Sequence, residues 1–334
     1  MTVVVTGGGG FLGRRIAELL IEDGRAVRSV SRGEHAELAE AGIEHVRADL
    51  ADERATAEAL EGAEAVVHTA AKTGVWGPRG AFERANVDAT RNVLSACREH
   101  GIPRLVYTSS PSVCFDGRDH AGARELPYAR RFLAWYPQTK ARAEREVLAA
   151  NGAELATVAL RPHLVFGPRD PHLIPRIVER ASARKLAIVG RGRNEVSLTY
   201  VDNAAWAHVD ALRALEEGEE CAGKAYFIAN EAPVPLWGWI NALLAQLGKP
   251  LVTSRIPLGM AWVAGATAEA VWKTFRREGE PPMTRFVALQ LARTHTYDVG
   301  RAKEELGYVE RVDMEEGTRE LVRSLGAGEP GSGL

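Results

Sequence analysis

Cysteine is scarce in this chain. Cys97, Cys114 and Cys221 are the only three in 334 residues, and no CxxC or Cys/His spacing joins them. An odd number of thiols without ligand spacing excludes a disulfide framework and a zinc module, and it fits a reducing compartment. Net charge is nearly absent as well: 42 lysines and arginines stand against 44 aspartates and glutamates, with the signs interspersed. That balance argues against a dedicated nucleic-acid surface, so no nucleic-acid partner is expected. No unbroken apolar run reaches the roughly eighteen residues of a transmembrane segment. A strand pattern already begins at Thr2, which leaves no room for a signal peptide, and a cytoplasmic protein is expected. Internal repeats are lacking too. The one low-complexity piece is the tail, 326–334, which is expected to be disordered.

What is present starts at the first residues. Thr2-Val3-Val4-Val5-Thr6 is a β-branched run long enough for one buried strand. It leads into Gly7-Gly8-Gly9-Gly10-Phe11-Leu12-Gly13, after which Ile16, Ala17, Leu19, Leu20 and Ile21 recur with helical spacing. A strand, a glycine turn and a helix bring free amides and the positive end of a helix dipole against a pyrophosphate. The spacing Gly7-x-x-Gly10-x-x-Gly13 differs by one residue from the commoner dinucleotide fingerprint, and four consecutive glycines satisfy both registers.

Strand and helix patterns then alternate, as in a doubly wound parallel sheet. Strands are expected at 27–31, 43–48, 63–68, 104–108 and 155–160, with long helices over 81–100 and 136–150. The fold class is α/β, a Rossmann sheet with a smaller mixed α/β substrate domain. Residues 1–160 form the dinucleotide-binding domain, rejoined by about 197–215, and 161–325 the substrate-binding domain. In that second part, 258–276 is apolar enough to lie on a membrane or against a partner. The preferred reading makes it a core-facing helix walling an apolar pocket, with Glu269 and Lys273 on its wet side.

An NAD-specific site places an acid at the end of the second strand. Here that strand ends Ser31-Arg32-Gly33. Arg32 offers a guanidinium fork to a 2′-phosphate and Ser31 a further donor, so NADP(H) is expected, with NAD(H) left open. Asp49-Leu50 is placed to meet the adenine, and Asp49 can equally cap the following helix.

Tyr136 and Lys140 lie four residues apart, on one face of a helix. An ammonium within about 4–6 Å lowers a phenol by roughly one to three pKa units, towards working range. The pair opens a helix after a strand ending Thr108-Ser109-Ser110-Pro111-Ser112. At the carboxyl end of such a strand a serine can face the same substrate oxygen.

At these residues the chain resembles the extended short-chain dehydrogenase/reductases, within which it is similar to the 3β-hydroxysteroid dehydrogenase/isomerase-type branch. The resemblance runs from residue 1 to 325 through the glycine turn, Asp49-Leu50, Ala70-Ala71, Asn86-Val87, Ser110, Tyr136-x-x-x-Lys140, Arg161-Pro162 and Tyr200-Val201-Asp202-Asn203. It implies Ser110, Tyr136 and Lys140 as catalytic residues, with Ser109 and Ser112 as alternatives for the serine. The expected cofactor-binding set is Gly7, Gly10, Phe11, Leu12, Gly13, Ser31, Arg32, Asp49, Leu50, Ala70, Ala71, Lys72, Ser109, Tyr136, Lys140 and Pro162.

Ala70 to Gly77, Thr108 to Val113 and Leu160 to Pro168 are similar to the 2-alkyl-3-oxoalkanoate reductases of bacterial long-chain olefin biosynthesis. That likeness implies an NADPH-dependent reduction of an apolar β-keto acid. It permits a homodimer and assembly with other enzymes of that pathway. His163 and Arg193 are the cations expected at the substrate carboxylate. The alternatives are a 3β-hydroxysteroid dehydrogenase-like enzyme, an epimerase using Arg176, Arg180, Arg191 and Arg193 for a nucleotide diphosphate, and a dinucleotide-sensing module without chemistry; the same four arginines can equally be solvated charges or hold a substrate carboxylate. A sugar-nucleotide dehydratase is disfavoured, because Ser110-Pro111-Ser112 lacks the carboxylate of that family's Thr-Asp-Glu.

Overall fold

Seven short segments of this chain become parallel strands, and the inner ones carry the continuous apolar runs that burial on both faces demands, whereas the edge segment Glu44-His45-Val46-Arg47 has no buried residue. In the computed structural model, which describes residues 2–218 and 220–326, they become β1 (Thr2–Thr6), β2 (Ala26–Ser31), β3 (Glu44–Arg47), β4 (Ala65–His68), β5 (Arg104–Thr108), β6 (Ala156–Pro162) and β7 (Ala225–Ile228). They form one parallel sheet in the order β3-β2-β1-β4-β5-β6-β7. The winding reverses between β1 and β4. Their carboxyl ends therefore open a crevice there, beside the glycine turn.

Alternation along each strand sorts the core into two layers. Val3, Val5 and Val106 join Ile16 and Leu20 of α1 (Phe11–Glu22) on one side. Val4, Val66 and Leu105 join Val93 and Val147 on the other. Val147 belongs to α2 (Trp135–Ala149), and α3 (Val201–Glu216) packs on α1 beneath the sheet. All three cysteines are buried and none forms a disulfide.

The helix expected over 81–100 is not uniform. Arg79–Glu83 is α-helical, Arg84–Asp88 makes a π-helical turn, and Ala89–Glu99 resumes the α-helix. Three strands of the later part of the chain and one from the loop after β5 form a four-stranded sheet in the order Val234–Pro235, Glu195–Val196, His295–Tyr297, His120–Ala123. Gly326 ends the last helix, Met314–Gly326. The rest of the tail expected to be disordered, 327–334, lies outside the described residues.

The apolar 258–276 segment corrects the expectation made for it. Its helix, α4 (Leu258–Thr274), buries only Ala261, Gly265 and Glu269, a stripe four residues apart. A Cβ on Gly265 would stand 2.6 Å from the backbone of Thr284, so the close approach depends on glycine. Glu269, expected on the wet side, is buried and accepts from the Arg285 amide at 2.7 Å and its Nε at 2.8 Å. Met260, Val263 and Phe275 are 64%, 59% and 71% exposed, so these large apolar side chains face outwards, while Leu258 packs against the core and Val271 and Trp272 are part-buried. Among the described residues no helix is long and apolar enough to cross a membrane.

Candidate active site

Gly7 has φ +72°, and a Cβ there would meet Thr69 Oγ1 at 2.9 Å and the Ala70 backbone at 3.0 Å. A Cβ on Gly13 would stand 2.3 Å from the Gly7 carbonyl oxygen. The turn is therefore too close to the segment after β4 at Gly7, and α1 too close to the turn at Gly13, for any side chain at either position. Gly10 caps α1 without a side-chain bond, and the first turn of α1 contains no acid. Its leading amides, Phe11 and Leu12 among them, have no intrahelical acceptor, which suits the site to an anion.

At the end of β2, Ser31 Oγ is buried without a partner among the described residues. The exposed Arg32 guanidinium likewise has no hydrogen bond or ion pair there, while its carbonyl accepts from Arg47 Nε at 3.0 Å. Asp49 is no helix cap: Asp52 takes that role, accepting from Ala55 N. Asp49 instead accepts from Ala51 N at 3.1 Å and Arg84 Nη2 at 2.9 Å. The Arg84 hydrogen bond leads the effects holding its carboxyl below the usual range. Leu50 is buried in the core, and its carbonyl accepts from Asn92 Nδ2.

Ala70, Ala71 and Lys72 follow β4. Asn86, placed by the π-helical turn, fastens this loop: it accepts from Lys72 N at 2.7 Å and donates to Lys72 O at 3.1 Å and to Thr139 Oγ1 at 3.0 Å. A π-turn adds a residue to the helix and re-aims its side chains, a frequent device at functional sites. Asn86 is among the residues that carry the family resemblance, but its tie is invisible in the sequence, because apolar periodicity does not reveal a π-turn.

β5 ends at the serines. Ser110 caps a short 3₁₀ turn, Pro111–Val113, and its Oγ accepts from Ser112 N at 3.2 Å and Ser112 Oγ at 3.0 Å. It also lies near enough to the Tyr136 phenol to pull its pKa down. Ser109 Oγ is buried without a partner among the described residues. Of the three serines, Ser110 is the one whose hydroxyl acts on the Tyr136 pKa.

Pro137 sits in the first turn of α2, where a missing amide costs nothing, and the helix carries Tyr136, Lys140 and Glu144 on one face. The buried Lys140 ammonium donates to Thr108 O and lies 4.1 Å over the Tyr107 ring. Burial pushes it down to about 7, against the opposing pull of Glu144. Glu144 is clamped by Arg161 Nε at 3.0 Å and by its Nη2, both side chains being buried. The Tyr136 phenol is not depressed as expected. Burial raises it, and only the Ser110 hydrogen bond pulls the other way.

Two buried histidines brace the floor. His208 Nδ1 meets Ala204 O at 2.7 Å and therefore donates there, which leaves Nε2 to accept from Thr108 Oγ1 at 2.8 Å. The Thr90 hydroxyl donates to Asn86 O, so His68 Nε2 donates to Thr90 and its Nδ1 accepts from Thr6 Oγ1 at 2.6 Å. Burial pushes both imidazoles down, to about 4 and about 3, so both are neutral.

On the substrate side, His163 corrects its expectation. It is buried, donates from Nδ1 to Ser197 O at 2.6 Å, and stacks edge-on against His295 and Tyr297. Burial keeps it well below its ordinary pKa, so it is no cation for a carboxylate. Arg193 is exposed. Pro162 is buried at the end of β6, beside Ile228 of β7.

The model of the 3-beta hydroxysteroid dehydrogenase/isomerase family matches residues 4–258. The 2-alkyl-3-oxoalkanoate reductase of Stenotrophomonas maltophilia is 48% identical over 98% of this chain and 100% of its own length. That of Shewanella oneidensis is 44% identical over 96% of this chain and 85% of its own. Among solved structures, MoeE5 in complex with UDP-glucuronic acid and NAD is 25% identical, with a TM-score of 0.75 over 98% of this chain and 100% of that one. With the glycine cradle, the parallel sheet and these near full-length relatives in view, the chain belongs to the 3-beta hydroxysteroid dehydrogenase/isomerase family of NAD(P)-dependent oxidoreductases.

Proposed function

We propose that the protein reduces the 3-oxo group of a 2-alkyl-3-oxoalkanoate to the 3-hydroxy acid with NADPH, as a step of long-chain olefin formation. The observation that carries the substrate is the end-to-end likeness to two reductases of that name. The cluster of Ser110, Tyr136 and Lys140 supports the chemistry, and the open Ser31 and Arg32 side chains support the phosphorylated cofactor.

NADPH, when bound, supplies the hydride to C3. The chain's own groups do the rest. The first-turn amides of α1 hold the pyrophosphate, and Arg32 with Ser31 holds the 2′-phosphate. Ser110 donates to the ketone oxygen and orients it towards Tyr136. The phenol, kept protonated by burial, gives its proton to that oxygen as charge develops there. Lys140 stabilises the resulting phenolate, and its position near neutrality lets it restore the proton.

The test is Tyr136→Phe, which keeps the ring and removes the proton. Turnover of a 2-alkyl-3-oxoalkanoate falls by roughly 10²-fold or more while NADPH binding is nearly unchanged. Near-normal turnover would remove Tyr136 from this role. A side-by-side screen of the keto acid, a hydroxysteroid and a UDP-sugar with NADPH and NADH tests the substrate class. The UDP-sugar belongs in it because MoeE5 holds UDP-glucuronic acid on the same fold.

A further inference from the structure

A cavity of about 810 Å³ opens between the Leu173–Ser182 helix, the loop at Thr73 and Gly74, and the segment at Glu280. Its loop wall continues from Lys72, which Asn86 fastens to Thr139 on the helix of Tyr136 and Lys140. Two cations of its helix wall, Arg176 and Arg180, stand four residues apart, so they face the same way and repel. Arg176 Nη1 meets Glu280 Oε2 at 2.8 Å. Arg180, half-buried, has no hydrogen bond or ion pair among the described residues. Burial and then the neighbouring Arg176 charge push its guanidinium down, and Glu280 and Glu179 offset only part of that. Glu280 also lies close to the loop, its Oε1 3.1 Å from where a Cβ on Gly74 would stand. A half-buried guanidinium beside a like charge, with no carboxylate of its own, is a site that an anionic ligand would stabilise.

We propose that Arg180 and Arg176 bind the carboxylate of the oxo-acid substrate, with Glu280 as the placeholder that the incoming carboxylate displaces from Arg176. The proposal rests on the β-keto acid reading above and adds where the acid group is held. The chemistry gives such a clamp a second use. A β-oxo carboxylate loses CO₂ when its C1–C2 electron pair moves into the C2–C3 bond and the ketone oxygen takes the negative charge. Two guanidiniums on the carboxylate stabilise the charge where it begins and so oppose that loss until C3 is reduced.

The test compares a 2-alkyl-3-oxoalkanoate with its methyl ester, which presents the same ketone without the charge. Arg180→Ala is expected to raise KM for the acid by about tenfold or more with kcat little changed, and to leave the ester untouched. Unchanged ester turnover also shows that the variant is folded. Arg180→Lys should recover part of the preference for the acid, and Glu280→Gln should lower KM for the acid by freeing Arg176. Equal effects on acid and ester, or none on either, overturn the proposal. A calorimetric titration of decanoate against methyl decanoate keeps the site testable without turnover. If the wild type reduces no β-keto acid but Arg180→Ala weakens decanoate about tenfold, the site stands and the reaction reading falls. If decanoate binding ignores Arg180, the site falls whatever the reaction.

Discussion

Lys140 is the group of the site that changes charge near neutrality, because burial outweighs Glu144 and holds it down to about 7 from its ordinary 10.5. Between those values the unfolded chain keeps the proton that the folded chain has released, so the unfolded state binds more protons and stability rises with pH across that window. The stability of the wild type relative to Lys140→Met should therefore increase as pH climbs from 7 towards 10, measured by thermal unfolding of both proteins in matched buffers. A difference that stays level would mean the ammonium is not desolvated. The same titration bears on rate: reduction consumes a proton, so its kcat should fall as pH rises past about 7. Arg32 tests the cofactor. Arg32→Ala should weaken NADPH by roughly 1.5–3 kcal/mol, the worth of a charge-assisted contact, and leave NADH nearly unchanged. Equal losses for the two dinucleotides in fluorescence titrations would remove the arginine from the 2′-phosphate.

Elements decide which of these residues meet, and they were legible to different degrees. β1, β4 and β5 are buried on both faces, so Val3-Val4-Val5, Ala65-Val66-Val67 and Leu105-Val106 read as strands from composition alone. The glycine turn and the Tyr136/Lys140 spacing were equally visible, since each depends on short-range geometry. The two-residue strands Glu195–Val196 and Val234–Pro235 are too short to show a period. α4 misled because its composition is apolar nearly all round, and the stripe that decides its packing is Ala261, Gly265 and Glu269, small residues and a carboxylate rather than large hydrophobics. His163 reads as a cation in the sequence and is none in the fold, because a sequence shows a titratable ring but not its burial. The π-turn at Arg84–Asp88 was hidden for a related reason: one extra residue in a helix leaves its flanking periodicity intact. Its consequence can be measured. Asn86→Ala removes three hydrogen bonds that tie Lys72 to Thr139 and should cost about 1–3 kcal/mol of stability. As a positioning residue it should also reduce kcat and NADPH affinity together, by roughly tenfold, because a misplacement near 1 Å is costly in a reaction that depends on alignment. A fall in melting temperature with unaltered kinetics would leave Asn86 a structural tie only.

For the whole molecule, the proposed reaction joins two demands that lie in different places. The proton and hydride chemistry belongs to the crevice at the carboxyl ends of β1, β4 and β5, with buried neutral histidines beneath it. A long-chain substrate must in addition remove alkyl carbon from water, at about 0.8 kcal/mol for each buried methylene. If the substrate class is right, kcat/KM should climb by roughly fourfold per added methylene through the shorter homologues and level off once the available apolar surface is covered. The acid group adds a constant increment at every length, because its contacts do not change as the tail grows. The measurement is a series of 2-alkyl-3-oxoalkanoates of increasing chain length, each paired with its methyl ester, at fixed NADPH. Parallel rising lines separated by a constant factor are expected. A series that is flat from the shortest member, or a hydroxysteroid or UDP-sugar that outcompetes every β-keto acid, would reject the long-chain substrate while leaving the Ser110, Tyr136 and Lys140 cluster to be judged by Tyr136→Phe.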